Sequence, residues 1–277
     1  MLEKSIGEKV KILLGGRFDL VEENYENKLI DSSAYQQDTA FSPRVGIIYQ
    51  PIEPVSLYAN YSRSFAPAEF GSRNADGTPF EPTTGQQFEV GVKTEFLDGR
   101  LSATLAAYQI TKQNITTPDL TNPGFSIQIG EQQSQGIEID VAGEVFPGFN
   151  IIANYAYTDA KITKDNSGNE GNRPYDVPKH SANLWAVYQI QEGNLQGLGF
   201  GVGVNFVGDR QGNLENTLDS PGYVRTDAAV FYRKRNWQVG LNIKNLFDVD
   251  YFESISSREY VYPSQPFVIQ GSFSVTF

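Results

Sequence analysis

Glu138, Asp140 and Glu144 stand two and four residues apart, so in an extended chain all three fall on one face. Carboxylates grouped in this way suit acid–base chemistry or a hard cation. They suit equally a charged wall whose acids bond to water or to neighbouring strands. The acidic loop DNSGNE, Asp165 to Glu170, lacks the oxygen spacing of a calcium loop. His180 is the only histidine, and a hydrolytic site would need a serine and an orienting partner beside it. Its neighbour Ser181 falls on the opposite face of a strand. With no cysteine and a single histidine, thiolate sites, His-rich metal sites and a disulfide framework are excluded. No catalytic residue and no metal ligand is therefore expected. The 33 acidic and 22 basic residues leave a formal charge of −11, which repels phosphate backbones, so nucleic acid is not an expected partner.

The elements that carry these residues read as strands. From Gln87 to Phe96 the side chains Phe88, Val90, Val92, Thr94 and Phe96 alternate with Gln87, Glu89, Gly91, Lys93 and Glu95, a period of two. Ile137, Ile139 and Val141 alternate with Glu138 and Asp140, and Phe200, Val202, Val204 and Phe206 with glycines and Asn205. Trp237 to Lys244 repeats the pattern. With the segments near Lys11–Val21, Phe41–Gln50, Val55–Phe65, Leu101–Gln113, Phe149–Asp159, Ser181–Ile190, Tyr223–Tyr232 and Pro266–Phe277, about 12 strands are expected. Most are longer than the globular mean and long enough to cross a bilayer at a tilt. Aromatics near the strand ends, among them Tyr49, Tyr58, Tyr61, Tyr155, Tyr157, Tyr188, Phe231, Tyr232 and Phe247, sit where interfacial girdles would place them.

The connections alternate in length. PIEP, LDGR, FPG, QEGNLQ and RKRN are brief, and every other link is a long polar loop. Short turns on one rim and long loops on the other mark a bacterial outer-membrane barrel, with the turns facing the periplasm. A mean hydropathy of −0.38 does not oppose this, because a barrel strand shows lipid only every second side chain. Met1 to Gly16 carries charges where a signal peptide needs its apolar core, so no export signal is expected in that stretch. The expected fold is all-β, a transmembrane antiparallel barrel wall forming one domain over residues 1–277, with a wet, charged lumen.

Several blocks resemble one family. NLFDVDYF (Asn245 to Phe252) leads into an alternating last strand that stops at Phe277, and this resembles the C-terminus of TonB-dependent outer-membrane receptors. SPRVGIIYQP, YANYSRSFAP, GQQFEVGVKTEF, GEQQSQGIEIDVAGE, NYAYTDAKIT, VPKHSANLWAVY, NFVGDR and PGYVRTDAAVFYR follow in the family's order. Their spacing is similar to that of the ferrichrome-type, ferric hydroxamate branch of siderophore receptors. Such a barrel has about 22 strands around a plugged lumen. The resemblance covers its C-terminal half; the plug, the energy-coupling box and about ten strands have no counterpart here, and the excerpt should be an open curved sheet.

The resemblance implies a receptor and not an enzyme. Its expected partners are a ferric siderophore, the TonB complex acting through the plug, the barrel-assembly machinery, which reads the terminal Phe277, and outer-membrane lipid. Iron would arrive inside its chelator, so no cofactor or protein ligand to the metal is expected. Aromatic surfaces and hydrogen-bond donors would hold the complex. Tyr260 and Tyr262 in the last outer loop are the first candidates, since the ferrichrome-type family places an aromatic there against its ligand. Arg63, Phe65 and Phe70 after the third strand, and Arg173 and Tyr175, are further ones. Loop packing explains the aromatics as well, and pairing to loop carboxylates explains the arginines. The family's last loop often carries a cysteine pair, absent here. Two other functions stay open: a passive 12-stranded pore or translocator, which would require Lys11–Val21 to pair with Pro266–Phe277, and an outer-membrane enzyme on a small barrel.

Overall fold

The computed structural model describes residues 2–7, 9–29 and 31–276. Its strands are β1 (Leu2–Ile6), β2 (Val10–Asn27), β3 (Ser32–Ile52), β4 (Val55–Ala66), β5 (Thr83–Phe96), β6 (Leu101–Pro118), β7 (Ser126–Phe146), β8 (Phe149–Lys164) and β9 (His180–Gln189). The series continues with β10 (Leu198–Val207), β11 (Arg210–Gln211), β12 (Asp219–Ser220), β13 (Tyr223–Arg233), β14 (Trp237–Lys244), β15 (Phe252–Ile255), β16 (Val261–Pro263) and β17 (Val268–Val275). Thirteen of them form one antiparallel sheet in chain order, β1 to β10 and then β13, β14 and β17. β11–β12 and β15–β16 are small hairpins inside two of the long loops.

The sheet thus has one strand more than expected, because β1 is five residues long and too short to show a period. Strand lengths were also underestimated on the long-loop side. β3 and β7 run for 21 residues each, and β2 and β3 stay paired out to Asn27 and Ser32. Beyond the bilayer both faces of a hairpin meet water, so the alternation that reveals a strand disappears although its backbone ladder continues.

Register makes the two faces continuous. Partners across an antiparallel ladder share a face, and the chain of partners Ile12, Ile47, Ala59, Val90, Ala107, Ile137 and Tyr157 crosses seven strands without a charge. On this side Phe88, Val90, Ile137, Phe200 and Phe273 stay exposed. Among the described residues no second sheet covers them, so this surface is the one that needs hydrocarbon. The buried apolar residues lie elsewhere, as alanines and Ile162 on the opposite face or as loop residues such as Phe80, Tyr251 and Ile255.

Two aromatics are corrected by register. Tyr58 lies on the polar face, where its ring covers Gly91; a Cβ at that glycine would sit 2.6 Å from it. Phe231 likewise faces inward over Gly199. Tyr155, Tyr157, Tyr188 and Tyr232 belong to the apolar face as expected. Among the described residues β1 pairs only with β2, and β17 only with β14. Lys11–Val21 lies between β1 and β3 and does not meet Pro266–Phe277, so the closed small pore is not the architecture seen. Phe277 lies outside the described residues.

Candidate functional site

The polar face carries a belt of linked side chains. Tyr58 donates to Glu89 Oε1 at 2.8 Å, and Gln87 donates to Glu89 Oε2 at 2.8 Å. Tyr108 meets the Thr158 hydroxyl at 2.9 Å. Asn183 donates to Asn154 at 2.9 Å and accepts from Asn205, whose cross-strand neighbour Arg225 is bonded to Asp227 at 3.0 Å. Glu138 and Asp140 share this face, while Glu144 is spent at the short turn, accepting from the Gly148 amide and lying 3.8 Å from Arg100. The three carboxylates do not assemble, and among the described residues no group of acids or histidines is placed to hold a metal. His180 sits on the apolar side between Tyr155 and Tyr157, its Nδ1 2.8 Å from the Tyr155 hydroxyl.

Above the belt the long loops dock on one another through side chains that reach the next loop's main chain. Gln36 donates to Ala68 O and accepts from the Gly71 amide. Gln128 bonds both main-chain groups of Glu81 at 2.6 Å, and Asn166 donates to Pro118 O. Asn172 donates to Leu214 O at 2.9 Å, and Asn216 bonds the amide and carbonyl of Arg173. Within the loop 119–125, the Asn122 side-chain amide, followed by the amides of Thr121 and Asn122, holds the Asp119 carboxyl below its ordinary range.

The densest junction is Arg210, only 3% exposed. Its guanidinium donates to Asp176 Oδ1 at 2.6 Å, to the carbonyls of Glu253 and Phe252 at 2.6 and 2.8 Å, and to the Ser220 hydroxyl at 3.2 Å. It also lies over the Tyr223 ring. One side chain therefore fastens loops 165–179, 208–222 and 245–267. The last of these tucks inward. Tyr251 stacks on Tyr223 with centroids 4.0 Å apart and accepts from Arg225 at 3.3 Å. Asn245, 1% exposed with φ +51°, closes the loop's base by donating to Val249 O and Gln265 O and accepting from the Val249 amide. Asp248 accepts from the Phe267 amide at 2.8 Å.

The expected ligand residues separate into two groups. Arg173, Tyr175, Tyr260 and Tyr262 lie in the fastened loops. Tyr260 and Tyr262 are 65% and 57% exposed. Tyr175 is also exposed, whereas Arg173 is already engaged by Asp209, through its carbonyl at 3.1 Å and its carboxylate at 3.8 Å. Phe70 belongs to the other end of the sheet, against Tyr25 at 5.8 Å on the polar side. Arg63 and Phe65 have the register of Tyr61, which continues the apolar face rather than the lumen. Arg210, Tyr223, Arg225, Asn245 and Tyr251 were not singled out in the sequence. All five stand inside NFVGDR, PGYVRTDAAVFYR or NLFDVDYF, and their only advance signal was membership of those blocks.

The sheet with one greasy face, one wet face, short turns below and docked loops above can be compared with known proteins. Residues 2–246 match the family model described as TonB dependent receptor-like, beta-barrel. The chain belongs to this family. The TonB-dependent receptor barrel seen here is 37% identical over 278 residues to the metal-pseudopaline receptor CntO of Pseudomonas aeruginosa, covering 98% of this chain and 39% of that protein. It is 35% identical to the ferrichrome outer membrane transporter/phage receptor of Escherichia coli, covering 89% of this chain and 33% of that protein. The crystal structure of the siderophore receptor PiuA from Acinetobacter baumannii superposes with a TM-score of 0.80 at 29% identity, over 96% of this chain and 41% of that one. The chain thus spans about two-fifths of the proteins it resembles, and its sheet is part of a barrel wall in the outer membrane. These relatives are named as receptors and transporters, not enzymes.

Proposed function

We propose that this barrel segment supplies part of the lumen wall and the outer loops of a receptor that takes up a ferric siderophore of the hydroxamate class, energised through TonB. The observation that carries this is the inward-tucked last loop. Held by Arg210, Asn245 and Tyr251, it leaves Tyr260 and Tyr262 exposed. Aromatic surface with few placed donors suits a chelate that already satisfies its metal. The acids Glu89, Glu138 and Asp140 have no ion-pair partner among the described residues, which suits contact with a plug. The ferrichrome relative and the ferrioxamine B receptor of Salmonella typhimurium, 32% identical over 96% of this chain, support the hydroxamate class. A metal-pseudopaline chelate is the second reading, favoured by the 37% identity to CntO.

Replacing the matched segment of the E. coli ferrichrome transporter with this chain tests the reading. Cells carrying the chimera should grow on ferrichrome or ferrioxamine B as sole iron source, and Tyr260→Ala with Tyr262→Ala should weaken uptake about tenfold or more, as loss of two anchoring aromatics does. A chimera present at normal surface abundance that transports neither chelate overturns the hydroxamate assignment, and uptake of a pseudopaline complex alone establishes the second reading. We also propose that Phe277 is read by the barrel-assembly machinery. Its deletion should lower surface abundance of the chimera, and unchanged abundance would refute that role.

A further inference from the structure

We infer that the apolar face beside the turn between β13 and β14 is a binding site for an anionic phospholipid of the periplasmic leaflet. A groove of about 550 Å³ opens there on the lipid side, walled by Leu198, Val230, Tyr232, Leu241 and Phe273. Its floor is Gly271, where an added Cβ would meet no atom within 4 Å. The groove ends at the interfacial pair Tyr232 and Trp237, whose rings stand edge to face at 5.7 Å. Directly beyond it Arg233, Lys234 and Arg235 follow one another, all exposed.

Charge singles out this turn. The chain carries −11 overall, and each of the other short turns holds at most one basic residue. Lys234 lies over the Tyr232 ring at 4.8 Å and spends one donor on Gln196 O at 3.0 Å. Arg233 lies over the inward-facing Phe231 ring at 5.6 Å and donates to Gln238 at 2.8 Å, so it belongs to the lumen side of the turn. None of the three is ion-paired among the described residues, and Arg235 makes no hydrogen bond there. Short turns face the periplasm, so Lys234 and Arg235 stand at the phosphate level of the inner leaflet while the groove above them takes an acyl chain. Basic side chains at that level attract anionic headgroups. The inference depends on the lipid-facing wall and not on which chelate the receptor takes.

The two tryptophans make the test direct. Trp185 covers Gly201 and Gly203 on the lumen face, away from lipid, whereas Trp237 is at the groove. The chimera with the E. coli ferrichrome transporter, its tryptophans outside this segment replaced by phenylalanine, is refolded into phosphatidylcholine vesicles containing phosphatidylglycerol or phosphatidylethanolamine with brominated acyl chains, and Trp237 fluorescence is followed. Phosphatidylglycerol should quench with a preference of about fivefold or more. Lys234→Gln with Arg235→Gln should abolish that preference and leave quenching by phosphatidylethanolamine unchanged. Gly271→Leu, which fills the groove, should reduce quenching by phosphatidylglycerol severalfold. Equal quenching by both lipids, a preference that survives the double substitution, an unaffected Gly271→Leu, competition by inorganic phosphate, or no quenching by any lipid would each overturn the proposal.

Discussion

Arg210→Met should free three outer loops at once. The guanidinium is almost fully buried and holds Asp176, Ser220 and the carbonyls of Phe252 and Glu253. Methionine keeps the apolar stem but leaves those acceptors without their donors. Removing one member of a buried ion pair costs about 3–5 kcal/mol, set against loops whose other ties are the Asn172 and Asn216 amide bonds, the exposed Arg173–Asp209 pair and the Tyr251–Tyr223 stack. Hydrogen exchange should therefore speed up together in 165–179, 208–222 and 245–267, while the β5–β8 ladder stays protected. Arg210→Lys should not rescue, because an ammonium cannot span four acceptors in the planar arrangement of the guanidinium. If exchange rises only in 208–222, Arg210 is a local brace and the loops are held by their other contacts.

A second large effect is expected at Gly143, in a different part of the molecule. Its φ is +142°, and an added Cβ would fall against the Arg100 carbonyl, with Leu101 Cα 2.8 Å away. The obstructing atoms are backbone of the neighbouring strand, already committed to the ladder, so no flexible side chain can yield. Backbone strain alone costs on the order of 1–3 kcal/mol, and the clash adds to it by pushing β6 from β7 beside the turn that joins β5 to β6. In the chimera with the E. coli ferrichrome transporter, Gly143→Ala should leave little assembled barrel, seen as loss of the heat-modifiable band on electrophoresis of outer-membrane fractions. Gly271→Ala, at a position open to the bilayer, should assemble as the unsubstituted chain does. Equal assembly of both variants would show that the crossing at Gly143 relaxes at small cost.

Much of the wall was legible beforehand because its signals are local. Phe88 to Phe96 states its period within one strand, and register then carries that face from β5 to its neighbours. The girdle was less legible. Tyr58 and Tyr61 both stand near a strand end, yet one covers Gly91 on the lumen side and the other meets Phe88 at 4.9 Å on the lipid side. Parity along the strand separates them, whereas nearness to a strand end does not. Arg63 and Phe65 misled for a related reason: they precede a loop, and their face was set by the strand they belong to.

The candidate site was legible only as a region. Tyr260 and Tyr262 were placed in the last outer loop, and they are exposed there. What holds that loop could not be read. Arg210 reaches partners 34, 42 and 43 residues away through single polar atoms, and contacts of that kind leave no period, composition or spacing behind.

Side-chain alternation and the lengths of the connections, written in the order of residues, determined that this chain is a membrane-crossing sheet, and the resemblance of blocks such as NLFDVDYF and NFVGDR pointed to the TonB-dependent receptor family. Each strand must present one face to hydrocarbon and one to water, and that demand acts on every residue in turn. The tertiary structure alone decided which loops meet and which aromatics look inward. Those outcomes depend on where distant main-chain carbonyls come to rest once the sheet has formed.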